Sequence, residues 1–451
     1  MLLAFAAEAQ RQVARCRSIH PPRVCVANSG GRHNQHTRTG SCVIEAVRVL
    51  CYTVRMDIYK ELQVQPIINA AGTYTVLGGS RMSAETLSAM TSAAENFVAL
   101  RDFQKAAHEA IAKLTKNEAA YVSNGAATGL YLSIAACIER RLGKKFFYCT
   151  KDDIKSCNIV LFKAHRNPYD LVIDHLGAEY RELSFPNIIF PPTEEDLLNA
   201  IDERTAAIYF AQSAWVAPGF LPLESVVRVA KKKDVPVIVD AAAQLPPVEN
   251  LWRFSEMGAS VTLFSGGKDL KGPQASGLMV GKKEILDRVT AIGFPNYGIG
   301  RMMKVCREEI AGLYSAVKQY VTMDHEARYD WCEAQIAKLQ KAFDGNGTDG
   351  ADGTGIDGTG TDGADGTGID GTGIFKAKRT FPNEAGQPIA RAFLEIVNPA
   401  YTPDQVREFL LTGTPVIYAY SENLNGIYIN PMSLKEGETE IIIAKLKSMK
   451  S

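Results

Sequence analysis

The segment Phe264-Ser265-Gly266-Gly267-Lys268-Asp269-Leu270-Lys271-Gly272-Pro273-Gln274 places a lysine just past an apolar run and among glycines. Glycines let a bulky ligand approach the backbone. Burial at such a point lowers a lysine pKa and frees the amine of Lys268 to condense with a carbonyl. Taken alone, the motif fits a solvated lysine in a glycine-rich turn equally well. Ser265, three residues upstream, can offer a hydroxyl to an anionic group on the same ligand.

Asp240 follows Val237-Ile238-Val239 and precedes Ala241-Ala242-Ala243-Gln244. A carboxylate at the end of a buried strand, flanked by small residues, needs a cationic partner, because leaving it unpaired is costly. A protonated pyridine nitrogen is such a partner, and keeping it protonated makes the ring an electron sink; the plainer reading is an Asp capping the next helix. Gln244 then stands within reach of a ring oxygen. Ser123-Asn124-Gly125-Ala126-Ala127-Thr128-Gly129 joins an apolar run to an apolar helix. Small residues at a helix start expose N–H groups that cradle phosphate, but such starts are common and the motif is weak by itself. His165 ends another apolar run, where its flat ring could stack on a bound heterocycle, although a lone histidine is more often structural. Arg166 and Asn167 beside it are candidate substrate contacts.

These residues need a scaffold that brings them to one edge. Short apolar runs alternate with helical stretches: Ala119–Val122, Asn158–Phe162, Ala206–Phe210, Val235–Val239 and Val261–Phe264, with a helix-like Leu223–Lys233 between the third and fourth. Repeated alternation of this kind predicts a mostly parallel sheet covered on both faces. Ligands of such sheets sit at the carboxyl ends of the strands, where each run ends in small or polar residues. Further on, Arg391–Ile396, a helix near Thr402–Leu411 and Gly426–Ile429 predict a small α+β domain.

Composition narrows the function. The chain has 451 residues, 46% of them hydrophobic, enough for a large domain and a smaller one. Fifty basic and fifty acidic residues cancel, so no global field draws nucleic acid or an anionic membrane. No run approaches the roughly 18 apolar residues of a membrane span. Nine cysteines without a C-x-x-C pair or zinc spacing argue against a disulfide framework and a metal site, and fit a reducing, cytoplasmic setting. Residues 1–55 carry arginine but no lysine and four of the nine cysteines, and read as an extension outside the domain rather than a targeting signal. Residues 344–373 repeat Asp-Gly and Thr-Gly units with almost no apolar content. They predict a low-complexity loop, with spacing that matches neither an EF-hand nor a β-roll. The expected layout is a large domain over 56–320, a connecting helix over 321–343, the loop, and a small domain over 374–451.

Taken in chain order, the turn at Ser123, His165, Gln212-Ser213, Asp240 and Lys268 resemble the cofactor-contacting elements of the aspartate-aminotransferase-like class. Asn69-Ala70-Ala71-Gly72-Thr73, Val239–Pro247 and Phe264–Gln274 sharpen this into a resemblance to the selenocysteine-synthase-like family, on the branch that contains D-glucosaminate-6-phosphate ammonia-lyase. The resemblance spans about 56–342 and resumes from about 375. It implies an α/β chain of pyridoxal-phosphate (PLP) fold type I, with a mostly parallel seven-stranded sheet in the large domain and a small α+β domain. It further implies pyridoxal 5'-phosphate bound through Lys268, Asp240 against its pyridine nitrogen, and Ser123, Asn124, Gly125 and Ala126 around its phosphate. His165, Gln212, Gln244 and Ser265 complete the expected cofactor contacts. The implied reaction is α,β-elimination from a β-hydroxy amino acid or amino sugar acid, with Lys268 as the α-proton base and an enamine hydrolysing to a 2-keto acid and ammonia. At least a homodimer is implied. Arg81, Arg301 and Lys304 are cations suited to a substrate carboxylate or distal phosphate, or to an ordinary surface. Cys306 departs from the family pattern, where a lysine or small residue is expected. The competing functions are a transferase acting on seryl-tRNA, disfavoured by the neutral charge, and a scaffold without catalysis, disfavoured by intact Lys268 and Asp240.

Overall fold

The computed structural model describes residues 57–183, 189–213, 221–343, 373–421 and 425–449. The expected extension over 1–55 and the Asp-Gly repeat over 344–372 lie outside the described residues. The chain divides into two compact units at Gln65 and Pro66. The described part of the first is a short helix, Ile58–Glu61, entered at Asp57, whose side chain accepts the Lys60 N–H.

The second unit carries twelve described strands: β1 Ile67–Asn69, β2 Ala119–Ser123, β3 Asn158–Phe162, β4 Glu179–Leu183, β5 Thr205–Ala211, β6 Val237–Asp240, β7 Val261–Ser265, β8 Gly277–Gly281, β9 Phe375–Thr380, β10 Arg391–Ile396, β11 Val416–Tyr418 and β12 Gly426–Ile429. Seven form one sheet in the order β2-β8-β7-β6-β5-β3-β4. The run from β7 through β6, β5 and β3 to β4 is parallel, and β8 lies antiparallel between β2 and β7. This is the mostly parallel seven-stranded sheet expected for the large domain.

Why these runs read as continuous apolar stretches is clear from their two faces. Side chains alternate along a strand, and both faces are covered. Val160, Phe162, Ile208, Phe210, Val239 and Phe264 join one core with the helices Leu100–Leu114, Leu223–Lys232, Asn250–Met257 and Arg307–Thr322. Tyr121, Ile159, Leu161, Tyr209, Ile238 and Leu263 join the other with Ala126–Leu142 and Lys283–Ile292. By the same alternation Ser123, Asp240 and Ser265, at the strand ends, fall on the side of Ala126–Leu142.

A smaller body is built on β12-β10-β9, all antiparallel, and on the parallel pair of β1 with β11. It is therefore not confined to 374–451, as the sequence suggests: Ile67–Asn69 and the fully buried Ala70 belong to its core. The expected connecting helix runs from His325 to Phe343 and ends with the Phe343 ring edge-on to that of Phe375, both fully buried. Among the described residues no helix is long and apolar enough to cross a membrane.

Phe343 is an apolar tie between this helix and β9, in a core it shares with Ile336 and Leu339. Phe343→Ala should lower the unfolding free energy by about 3–5 kcal/mol, read as a fall in the urea midpoint with the m-value unchanged; a loss under about 1 kcal/mol would mean that the contact does not hold the two together.

Candidate active site

Sheet register gathers the candidate residues at one edge. Asp240 lies opposite Ala211 of β5 and Leu263 of β7, while Gly277 lies opposite both Ser123 and Ser265. With strands about 4.8 Å apart, Ser123, Ser265 and Asp240 line a single strip in front of the helix that starts at Ala126. That helix is entered at Gly125, with φ +132° and no capping side chain, so its first N–H groups remain for a ligand. Asn124 Oδ1 beside it is buried and has no hydrogen-bond partner among the described residues. A Cβ on Gly277 would stand 2.4 Å from the carbonyl carbon of Gly125 and 2.7 Å from the Ala126 nitrogen. Only glycine lets β8 approach this turn.

Asp240 is held on two sides. Its Oδ1 accepts the Ala242 N–H at 3.1 Å and its Oδ2 accepts the Tyr209 hydroxyl at 3.3 Å. Tyr209 in turn accepts from Asn167 Nδ2 at 2.8 Å. Burial pushes the Asp240 carboxyl above its ordinary range, against the pull of the Ala242 N–H, Lys268 and Tyr209. Lys268 is pushed below the ordinary lysine range by burial, with Asp240 opposing. Each group is thus moved toward its neutral form.

The turn carrying Lys268 is fixed by its neighbour. Asp269, 2% exposed, takes both Arg328 guanidinium nitrogens, Nη1 at 2.7 Å, and accepts the Tyr320 hydroxyl at 2.7 Å. Although burial pushes Asp269 upward, Arg328 and Tyr320 hold its carboxyl below the usual range. A Cβ on Gly267 would meet Gln274 Cα at 2.6 Å, and the Gly267 carbonyl accepts the Ser80 hydroxyl at 2.9 Å. The turn is therefore clamped from the Arg307–Thr322 and His325–Phe343 helices and from the chain at Ser80.

Other predicted residues are placed differently. Ser123 is buried and its hydroxyl donates to the Gly125 carbonyl at 2.8 Å, so it shapes the turn and leaves the N–H groups to meet a phosphate. His165 closes the short turn of helix that follows β3. It is wholly buried, packs on Phe162 and Phe210 of the opposite core, and accepts the Ala211 N–H on Nδ1 at 3.2 Å; burial lowers its pKa to about 4. Gln244 is buried, its Nε2 donating to the Ala385 carbonyl at 3.0 Å. Gln212 is half-buried beside Asp240, whose carbonyl accepts its N–H at 2.9 Å. Ser265 lies at the strip and is half-buried.

The predicted cations are mostly spent. Arg81 lines the cleft that holds Lys268, but Glu438 takes its guanidinium on both oxygens and the Ser433 carbonyl accepts a further bond. Arg166 pairs with Asp170 and Glu182. Asn167 serves Tyr209 and the His165 carbonyl. Arg301 donates to the Pro295 carbonyl and lies over Phe294 and Tyr297. Lys304 is exposed, and neither it nor Arg166 nor Arg301 lines the Lys268 cleft. Cys306 has a plain structural explanation: it is the N-cap of the Arg307–Thr322 helix, in a capping box with Glu309. Tyr209 and the Asp269–Arg328 pair escape sequence reading, since a tyrosine inside a buried strand looks like core and Arg328 is 59 residues from its partner.

Fold and strip together define a PLP-dependent enzyme of fold type I. The family model for L-seryl-tRNA selenium transferase (SelA) matches residues 67–332, and the chain belongs to that family. D-glucosaminate-6-phosphate ammonia lyase of Salmonella typhimurium is 26% identical over 87% of this chain and 98% of its own. A Streptomyces protein, 5'-C-glycyluridine monooxygenase-decarboxylase, is 27% identical over 87% of this chain and 91% of its own. A solved structure of D-glucosaminate-6-phosphate ammonia-lyase superposes with a TM-score of 0.70 at 25% identity, covering 87% of this chain and 98% of that one.

The cofactor is pyridoxal 5'-phosphate, and the residues present fit it. The uncapped helix start at Gly125 and the unpartnered Asn124 Oδ1 suit its phosphate. Asp240 would hold the pyridine nitrogen, and Lys268 the aldehyde carbon.

Gly277→Ala should shift the Gly125 turn and weaken cofactor uptake at least tenfold, about 1.4 kcal/mol, in a spectroscopic titration; unchanged uptake would remove the turn from the phosphate site. Arg328→Met should cost about 3–5 kcal/mol by stranding a buried carboxylate. Because Asp269 is depressed in the folded state, its contribution is full above the ordinary carboxylate pKa of about 4 and is lost as pH falls through its folded value. The gap between wild type and Arg328→Met in urea midpoints should therefore narrow on acidification, and a gap that widens would contradict this sign.

Proposed function

We propose that this enzyme catalyses α,β-elimination from a β-hydroxy amino acid of the amino sugar acid class, such as D-glucosaminate 6-phosphate, releasing ammonia and a 2-keto-3-deoxy acid. The observation that carries the reading is the edge shared by Lys268 and Asp240, where burial favours an uncharged amine beside a carboxylate that has no ion-pair partner among the described residues. The bound cofactor supplies an electron sink for the substrate's α-carbon. Lys268 Nζ, once released by the incoming amino group, removes the α-proton and then holds it close to the departing β-hydroxyl. Asp240, oriented by Tyr209 and the Ala242 N–H, keeps the pyridine nitrogen protonated. Likeness over nearly the full length of the ammonia lyase supports this choice within the family.

A second reading comes from the glycyluridine relative, whose name denotes an oxygen-dependent decarboxylation. The reading also includes a cytoplasmic setting and a homo-oligomer, and the largely exposed Phe97, Tyr297 and Met302 suit the second.

Purified protein should show the absorbance band of lysine-bound cofactor, and Lys268→Ala should lose it together with at least 10³-fold of the activity, about 4 kcal/mol. Ammonia release from phosphorylated and unphosphorylated amino sugar acids should proceed unchanged without oxygen. Oxygen-dependent turnover, or a colourless wild type that takes up no cofactor, would overturn the elimination reading.

A further inference from the structure

Four non-glycine residues among those described have a positive φ: Gln63, Lys116, Asp234 and Lys271. Three of them follow directly on the C-cap of a helix, where the left-handed conformation is the usual exit. Lys271, at φ +56°, does not; it lies in the turn between β7 and β8, one residue before Gly272. An L-residue in this conformation is strained relative to the right-handed one, which a glycine would avoid. Two of the other three have a use for their side chains: Lys116 lies over the Trp252 ring and Asp234 pairs with Arg140. The Lys271 ammonium has no hydrogen-bond or ion-pair partner among the described residues.

Lys271 lines the same cleft as Lys268, a cavity of about 180 Å³. Arg81, Lys268, Lys271 and Lys435 bring four cations to its wall, against one carboxylate, Asp269. That carboxylate is spent on Arg328, and Arg81 is spent on Glu438. Lys268 belongs to the cofactor in the reading above. What is left over is the positive charge of Lys271 and Lys435, together with the hydroxyl-bearing residues Thr73 and Ser433 that line the same wall. Ser433 Oγ is buried and has no hydrogen-bond partner among the described residues. Lys271 is exposed as a residue; desolvation of its ammonium and repulsion from Arg328 and Arg81 hold it below the ordinary lysine range, against the pull of Asp269, and an anion would offset the repulsion.

We infer that Lys271, with Lys435 and the Ser433 and Thr73 hydroxyls, forms the subsite for a phosphate monoester on the substrate, remote from the carbon attacked by Lys268. This rests on reading the strip as the elimination site. Two unspent cations and two hydroxyls offer more charge and more donors than a carboxylate's two oxygens can use, and they suit a dianion with three. Strain of this kind gathers at ligand clamps, and here it sets an ammonium in the cleft wall.

Inorganic phosphate is the probe. It is titrated calorimetrically into cofactor-loaded wild type, Lys271→Gly and Lys271→Arg, with acetate as the carboxylate comparison. Wild type should bind phosphate once beyond the cofactor, and acetate at least tenfold more weakly. Lys271→Gly should weaken phosphate at least tenfold while keeping the cofactor band and an unfolding midpoint no lower than wild type, since glycine adopts this φ without strain. Lys271→Arg should retain most of the affinity. Wild-type affinity in Lys271→Gly, no phosphate binding in wild type, or acetate binding as tight as phosphate would each overturn the inference. A failure of the elimination reading shows differently, as absent ammonia release with the Lys271-dependent phosphate affinity intact.

Discussion

Asp240 and Lys268 stand at the carboxyl ends of neighbouring parallel strands, half-buried and yet not bonded to each other. In a low-dielectric setting two such groups either close into an ion pair or drift toward neutrality. Here the Ala242 N–H and the Tyr209 hydroxyl engage the carboxylate, and the lysine is left with an amine that burial keeps reactive. A closed pair would tie up both groups. The separation has to be imposed by rigid surroundings, and the rest of the strip reads as those surroundings: a continuous sheet beneath Asp240, and the buried Asp269–Arg328 pair fixing the turn next to Lys268. A buried ion pair is a poor source of net stability compared with apolar packing. Its value at this point is geometric, because it fixes one residue away from the reactive amine without competing for it.

The sheet edge faces the smaller body through polar contacts. Gln244 donates to Ala385, Gln387 to Leu245, and Arg81 spans to Glu438 and the Ser433 carbonyl. Interfaces of this composition are typical of bodies that pack without fusing into one core. They leave the cleft at Lys268 lined by side chains from the strand turn, the Thr73–Ser83 segment and the Met432–Lys435 segment. The wall of that cleft is thus drawn from distant parts of the chain, while the strip at Ser123, Asp240 and Ser265 comes from strand ends of one sheet.

That division explains what was legible in the sequence. Runs such as Asn158–Phe162 and Val261–Phe264 are apolar throughout because both faces of the sheet are covered, and they end in polar residues because the edge is open. Lys268, Asp240 and the Ser123–Ala126 turn therefore stood out together. Roles that depend on contacts across the chain did not. Arg81 looked like a free cation, but its carboxylate is 357 residues away. Gln244 and His165 were placed at the right edge, but which way a side chain turns there depends on Ala385 and on the Phe162 and Phe210 rings. Gly277–Gly281 does not declare itself as a strand, since it begins and ends in glycine and is held by its neighbours β2 and β7. The addition of Ile67–Asn69 to the smaller body was equally hidden: a three-residue strand declares itself only through its partner, Val416–Tyr418.

Two relatives of nearly equal identity and coverage carry names for different reactions, and this bears on where specificity resides. An electron sink beside a lysine base can serve several bond cleavages. The bond that breaks depends on how the substrate is turned and on what reaches it, which is set by groups away from the sink. In this chain the strip of Ser265, Asp240 and Lys268 is the part suited to any such reaction. The cleft wall at Thr73, Lys271, Ser433 and Lys435 has the charge and donors to hold a substrate in one orientation. Differences among members of the family should therefore concentrate on that wall, and the strip should vary least, because its geometry is over-determined by the sheet.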